Sequence, residues 1–192
     1  MILIVGLGNP GEGYEDTPHN MGFRVLDFFK EAHFSQEPWK FEYKSQFLKS
    51  MLYGKEIILQ KPLTFMNNSG IAVRTLMKDY HVEESQALWV AHDELDLSWG
   101  RIKIDFARSA AGHKGVESII QALGTNAFWR FRIGVKPDVL PLSKSDFDRY
   151  LTEEAVGEAR RAIDAAMQEK TSELLNDALK EGIKKGDFIF TP

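Results

Sequence analysis

Five histidines are the side chains of this chain with an ordinary pKa near neutrality, and with no cysteine among 192 residues they decide what chemistry is open to it. His33 and His81 fall at helix ends in the hydrophobic pattern, where a solvated or capping role suffices. His19, His92 and His113 fall in strand-end or helix-start loops. With no G-x-S-x-G elbow, a covalent nucleophile would have to be a less obvious serine, threonine or lysine. A water activated by a histidine general base is simpler, and a carboxylate on the far ring nitrogen would fix the tautomer and stabilise the imidazolium. His92-Asp93-Glu94-Leu95-Asp96 stands directly behind an apolar run and supplies carboxylates. In extended geometry Asp93 points opposite to His92 and Glu94, so a carboxylate here can orient a distant histidine. A divalent metal is the competing use of such a cluster, but neither a paired D-x-D loop nor H-E-x-x-H spacing supports it.

Two neutral amides extend the set. Asn9 and Asn67 lie in loops, and each side-chain NH2 can donate to a carbonyl oxygen or to the oxyanion it becomes. Each also has an ordinary use, Asn9 in the Asn-Pro-Gly turn and Asn67, Asn68 or Ser69 as a helix cap. His19-Asn20 likewise reads as a solvated histidine followed by an N-cap.

The elements that must hold these groups interleave. Residues 2–7 predict a buried strand, 21–32 a helix, and 43–52 with 55–60 a hairpin about Tyr53-Gly54-Lys55. A helix over 70–80, strands at 87–91, 101–106 and 131–135, a helix over 114–123 and helical sequence from Glu153 to about Lys184 complete the pattern. Ala155, Ala159, Ile163 and Ala166 set one face of that last segment, and Leu175, Leu179 and Ile183 a later one. The expected architecture is one α/β domain over 1–192, three layers with a mixed, mostly parallel central sheet. Ligands in such sheets collect beyond the carboxyl ends of strands, which singles out the loops at 8–19 and 92–96.

Gly6, Gly8 and Gly11 spell G-x-G-x-x-G, the fingerprint of a dinucleotide site. The context opposes it: Pro10, Gly11, Gly13 and Pro18 keep residues 9–19 out of a helix, and the acidic candidate Asp27 lies inside a helical pattern instead of ending a second strand. Charge is uneven. Net charge is −4, yet residues 100–136 carry Arg101, Lys103, Arg108, Lys114, Arg130, Arg132 and Lys136 against Asp105 and Glu117, a local excess of +5. A soluble, cytoplasmic protein is the expectation, since no apolar run approaches a membrane span.

VGLGNPGEGYEDTPHNMGF, KPLTFMNNSGIAV and VAHDELDLSWG, in this order and spacing, resemble three signatures of the bacterial-type peptidyl-tRNA hydrolases, and AGHKG and FRIGVKP resemble weaker versions of two more. The resemblance covers nearly the whole chain. It implies a cytoplasmic α/β enzyme that hydrolyses the ester joining a peptide to the 3′ end of tRNA, with no metal or cofactor. It makes His19 the general base, Asp93 its orienting carboxylate, and Asn9 the group that tells an N-blocked ester from a free one. Asn67 would hold the substrate's carbonyl and backbone, with Tyr14, Phe65 and Met66 lining the cleft. His113 and Lys114 would contact substrate, and Lys103, Arg130 and Arg132 would meet tRNA phosphates. A monomer is expected, no long apolar seam being left over.

Three positions depart from the family. Lys114 stands where an asparagine is usual, Asp105 where the family is often basic, and Pro18 where arginine is usual. These predict altered tRNA affinity ahead of altered chemistry. The alternatives are a non-catalytic RNA-binding adaptor on the same fold and, more distantly, a dinucleotide-dependent oxidoreductase.

Overall fold

A computed structural model describes residues 1–136 and 158–189. Their strands form one eight-stranded sheet: β1 (Ile2–Gly6), β2 (Lys40–Glu42), β3 (Ser45–Leu52), β4 (Lys55–Pro62), β5 (Leu88–Ser98), β6 (Arg101–Phe106), β7 (Trp129–Lys136) and β8 (Gly186–Ile189), in spatial order β2-β3-β4-β1-β5-β7-β6-β8. Four helices are described: α1 (Met21–Phe34), α2 (Ser69–Asp79), α3 (Lys114–Leu123) and α4 (Glu158–Glu181).

The α/β class and the mixed sheet agree with the sequence, but the sheet is not mostly parallel. Parallel pairing is confined to the centre, where β1 pairs with β4 and β5 and β5 with β7. The four flanking pairings are antiparallel. For β2–β3 and β3–β4 short connections force this, because two strands joined by a tight turn must run in opposite directions, whereas β6 runs against β7 because the chain reverses after β5. Tyr53 (φ 51°) and Gly54 (φ 71°) both take the left-handed conformation that a two-residue hairpin turn needs. Trp99 and Gly100 reverse the chain after β5 with only Gly100 left-handed (φ 81°), and β7 then inserts between β5 and β6.

Alternation along the central strands builds two cores. Ile4, Ile57, Leu59, Trp89 and Ala91 face α1 and α4, where they meet Val25, Phe29, Met167 and Leu175. Leu3, Val5, Ile58, Leu88 and Val90 face α2 and α3, where they meet Val73, Leu76, Val116 and Ile119. Both sets are removed from water, at roughly 1.5–3 kcal/mol for each large aliphatic side chain. α4 is pinned to α1 by Arg24–Asp164 at 2.8 Å. Ala155 lies outside the described residues, whereas Leu175 and Leu179 are buried as their spacing predicts.

The opening glycines serve packing. A Cβ on Gly6 would lie 2.2 Å from the Gly22 carbonyl oxygen, and one on Gly22 would lie 2.4 Å from that of Ala91. Without side chains at both positions, the N-terminus of α1 seats directly on the end of β1 and on β5 at Ala91. Residues 7–20 form two short 3-10 turns, Glu12–Tyr14 and Pro18–Asn20, before α1 begins at Met21. No helix opens on the glycines, and Asp27 lies within α1. The dinucleotide reading therefore lacks its anion-binding helix end.

Candidate active site

β5 is longer than its apolar run predicts. It continues through His92-Asp93-Glu94 to Ser98, so these residues belong to the strand and not to a loop behind it. β1 ends at Gly6 opposite Ala91, which leaves the next residues of β5 without that neighbour. Asp93 occupies this step, where the 3-10 turn carrying His19 and the start of α3 converge on it.

Asp93 is 1% exposed and shared between two imidazoles. His19 Nδ1 lies 2.8 Å from its Oδ2, and His113 Nε2 lies 2.9 Å from its Oδ1. Burial alone would raise the Asp93 pKa, but the charge and hydrogen bonds of the two histidines outweigh it and hold the group well below the ordinary carboxylate range. The two rings are not equivalent. His113 is the N-cap of α3, its Nδ1 accepting from the backbone N–H groups of Gly115 (3.1 Å) and Val116 (3.3 Å). A nitrogen accepting twice bears no proton, so Nε2–H is the donor to Asp93. His19 directs Nδ1 at Asp93, which makes Nε2 the basic nitrogen of that ring.

The first loop is tied to the second through Asn9. Its Oδ1 accepts from the Met66 backbone N–H at 2.9 Å, which fixes the orientation of the side-chain amide. Asn20 holds the Asn9 backbone at both ends: Oδ1 accepts from Asn9 N at 2.7 Å, and Nδ2 donates to Asn9 O at 3.0 Å. Asn20 stands at the N-cap of α1 yet makes no side-chain cap bond there. The capping expectation for it is corrected, because the buried Asn9 peptide offers a matched donor and acceptor. Met66 is buried, and its Sδ lies close enough to Gly115 that a Cβ there would approach to 2.4 Å.

Asn9 and His19 from one loop, Met66, Asp93 and His113 thus converge from four segments of the chain. Asn67 is exposed in the 3-10 turn Met66–Asn68, Phe65 is exposed beside it, and Tyr14 is half-buried. Lys114 is exposed at the start of α3. Next to Asn9 and Asn20 a groove of about 450 Å³ also takes in Arg24, Gln46 and Lys61. Lys61 is mostly buried, lowered in pKa by desolvation against the opposing pull of Asp27, and lies 4.8 Å from the Trp39 ring.

Two of the residues expected to meet tRNA phosphates lie inside the protein. Arg130 is 1% and Arg132 7% exposed. Arg132 donates to Glu94 Oε2 at 3.0 Å and to Asp105 Oδ2 at 2.7 Å, and Arg130 donates to the Ser109 carbonyl at 2.7 Å. Desolvation, with Arg132 adding to it, brings Arg130 down to about 10, still a cation at neutral pH. On β7 the two arginines lie under the loop that follows β6, where Glu94 and Asp105 accept from Arg132 and the Ser109 carbonyl accepts from one nitrogen of Arg130. Lys103 is half-exposed and lies 3.8 Å from Asp187 Oδ2.

Donor atoms of His19, Asp93 and His113 come within 4.8 Å of one another, close enough to suggest a metal site. The proton on His113 Nε2 opposes that use. Freeing this nitrogen for a metal would move the proton to Nδ1 and break both cap bonds of α3.

Sequence comparison agrees with this geometry. The profile of the peptidyl-tRNA hydrolase family matches residues 3–188. The chain is 39% identical to the peptidyl-tRNA hydrolase of Bacillus subtilis, covering 92% of this chain and 97% of that one. It is 39% identical to that of Pseudothermotoga lettingae, over 99% and 96%. The crystal structure of peptidyl-tRNA hydrolase from Acinetobacter baumannii superposes with a TM-score of 0.84 at 29% identity, over 95% of this chain and 89% of that one. With its sheet, its converging loops and its sequence all in agreement, the chain belongs to the peptidyl-tRNA hydrolase family.

Proposed function

We propose that this protein hydrolyses the ester between a peptide, or an N-blocked amino acid, and the 3′ end of tRNA, with His19 as general base. His19 Nε2 takes a proton from water as the oxygen attacks the ester carbonyl carbon. The imidazolium that forms is held through Nδ1–H by the Asp93 carboxylate, and it returns its proton to the departing ribose oxygen. Asn9 and Asn67 supply amide N–H groups for the carbonyl oxygen and the peptide backbone. An activated ester needs no Lewis acid, so no step calls for a metal.

The observation that carries this reading is the 2.8 Å approach of His19 Nδ1 to a buried carboxylate kept ionised at neutral pH. A positioned base is worth about 10²–10⁴ in rate. Hydrolysis of N-acetyl-aminoacyl-tRNA beside the unblocked aminoacyl-tRNA tests it. The wild type should cleave the blocked substrate selectively and His19→Ala should lose most of that activity. An inactive wild type that still binds tRNA would favour a non-catalytic RNA-binding adaptor.

The acidic neighbours of Arg132 move the tRNA contact outward. Within the basic stretch the exposed Lys114 and Arg108, with the half-exposed Lys103, offer cations to phosphates.

A further inference from the structure

His92 is fully buried on the face of β5 that Leu88 and Val90 devote to the apolar core. An imidazole there forfeits hydration that an aliphatic side chain would never have had, so its polar atoms must return something. Nδ1 lies 2.6 Å from the carbonyl oxygen of Asp93. That oxygen can only accept, so Nδ1 carries the hydrogen. The bond falls just past the end of β1, whose last pairing with β5 is Gly6 opposite Ala91 and whose Leu7 N–H still donates to the Ala91 carbonyl. The other side of the ring meets His113 edge-on, with centroids 4.7 Å apart and planes at 70°. Nε2 is buried with no hydrogen-bond partner among the described residues.

We infer that His92 is a positioning residue for the hydrolytic centre, fixing the Asp93 peptide through its Nδ1–H and the His113 ring through its edge. Asp93 is then held at three points: its carbonyl by His92, Oδ1 by His113 and Oδ2 by His19. A carboxylate free to rotate would keep one imidazole at the expense of the other. With the peptide fixed and His113 wedged between His92 and the α3 N-terminus, both oxygens stay aimed. The groups facing His92 are Asp93, His113 and Arg130; burial foremost, with His113 and Arg130 beside it, opposes a proton on Nε2 and keeps the ring in the single donating tautomer.

This inference rests on the hydrolase reading for its kinetic consequence and on geometry alone for its structural one, so two readouts separate them. The variants are His92→Phe, which removes the donor; His92→Asn, whose side-chain NH2 replaces Nδ1–H; and His92→Gln, which moves the NH2 toward the Nε2 position. One readout is kcat and KM on N-acetyl-aminoacyl-tRNA, and the other is the NMR titration of the His19 imidazole in the free protein.

His92→Phe should lower kcat by roughly tenfold to a hundredfold with KM unchanged, as a small misplacement of the reacting groups does. The His19 midpoint should fall. Asn should recover most of both effects and Gln little. If the Phe variant does not fold, the Asn–Gln contrast decides alone. Equal behaviour of Asn and Gln, or a His19 titration in the Phe or Gln variant identical to wild type, overturns the inference. A wild type inactive on the ester whose His19 titration still responds to these substitutions would refute the hydrolase reading and leave the positioning role standing.

Discussion

Asp93 and Glu94 are consecutive on one strand, both nearly inaccessible, and differ in what they face. Asp93 faces two imidazoles; Glu94 faces the Arg132 guanidinium, which a second carboxylate, Asp105, also holds. An arginine stays charged throughout the working pH range, so the Glu94 side is a fixed-charge clamp joining β5, β6 and β7. An imidazole gains and loses its proton near neutrality, so the Asp93 side can change state during a reaction. Strand alternation assigns the two carboxylates to opposite faces, and the residue types waiting there make one a reaction partner and the other a brace.

Substitution should separate the two faces. The largest effect on catalysis is expected at Asp93→Asn, which retains the shape but loses the charge opposite His19: kcat should fall on the order of 10³–10⁴, as the same change does in a histidine–carboxylate pair elsewhere. Circular dichroism should show an intact fold, and activity near wild type would place the reaction's base elsewhere. On the brace side, Arg132→Met leaves Glu94 and Asp105 buried without their cation, and urea denaturation should show a loss of about 3–5 kcal/mol. Single-turnover activity of the folded fraction should change far less than in Asp93→Asn, and the reverse ordering would erase the distinction between the two faces.

Acid should sharpen the contrast. His92 and Asp93 both have folded-state pKa values lowered from their ordinary ones. For His92, lowered chiefly by desolvation, the unfolded chain binds the extra proton. Its contribution is complete above the ordinary value of 6.5 and is lost as pH falls from there toward the folded value. For Asp93 the contribution is present above 3.8 and is lost as pH falls through the lower folded value. Unfolding midpoints should therefore decline from about pH 6.5 downward, at no more than about 1.4 kcal/mol per pH unit for one proton. His92→Phe should flatten that decline between pH 6.5 and 5, and an unaltered slope would assign it to another group. The smallest effect is expected at Lys114→Asn. It should lower the slope of log affinity against log salt by less than about one, with the single-turnover rate nearly unchanged.

Apolar periodicity located every long element described. β5 outruns its apolar run because the end of an apolar run does not end a strand. The backbone ladder with β7 continues through His92 to Glu94 whatever the side chains are. β2 and β8 escaped for the converse reason: they are short edge strands of exposed or half-exposed residues, held by the backbone hydrogen bonds of β3 and β6 rather than by a pattern of their own. Asn20 and His92 were visible as polar residues within recognised motifs. Their roles depend on the Asn9 and Asp93 peptides, and a sequence does not show which main-chain groups lack ladder partners.

By itself the sequence determined the α/β class, the loop bearing Asn9 and His19, and the carboxylate segment that could serve a distant histidine, because periodicity and residue chemistry are local properties of the chain. Tertiary structure alone decided that one buried carboxylate serves two histidines, that His113 caps a helix with the nitrogen it does not turn to Asp93, and that Arg130 and Arg132 are internal. Each of those depends on which strand lies beside which. In a sheet where β7 slips between β5 and β6, that adjacency is set by long-range packing.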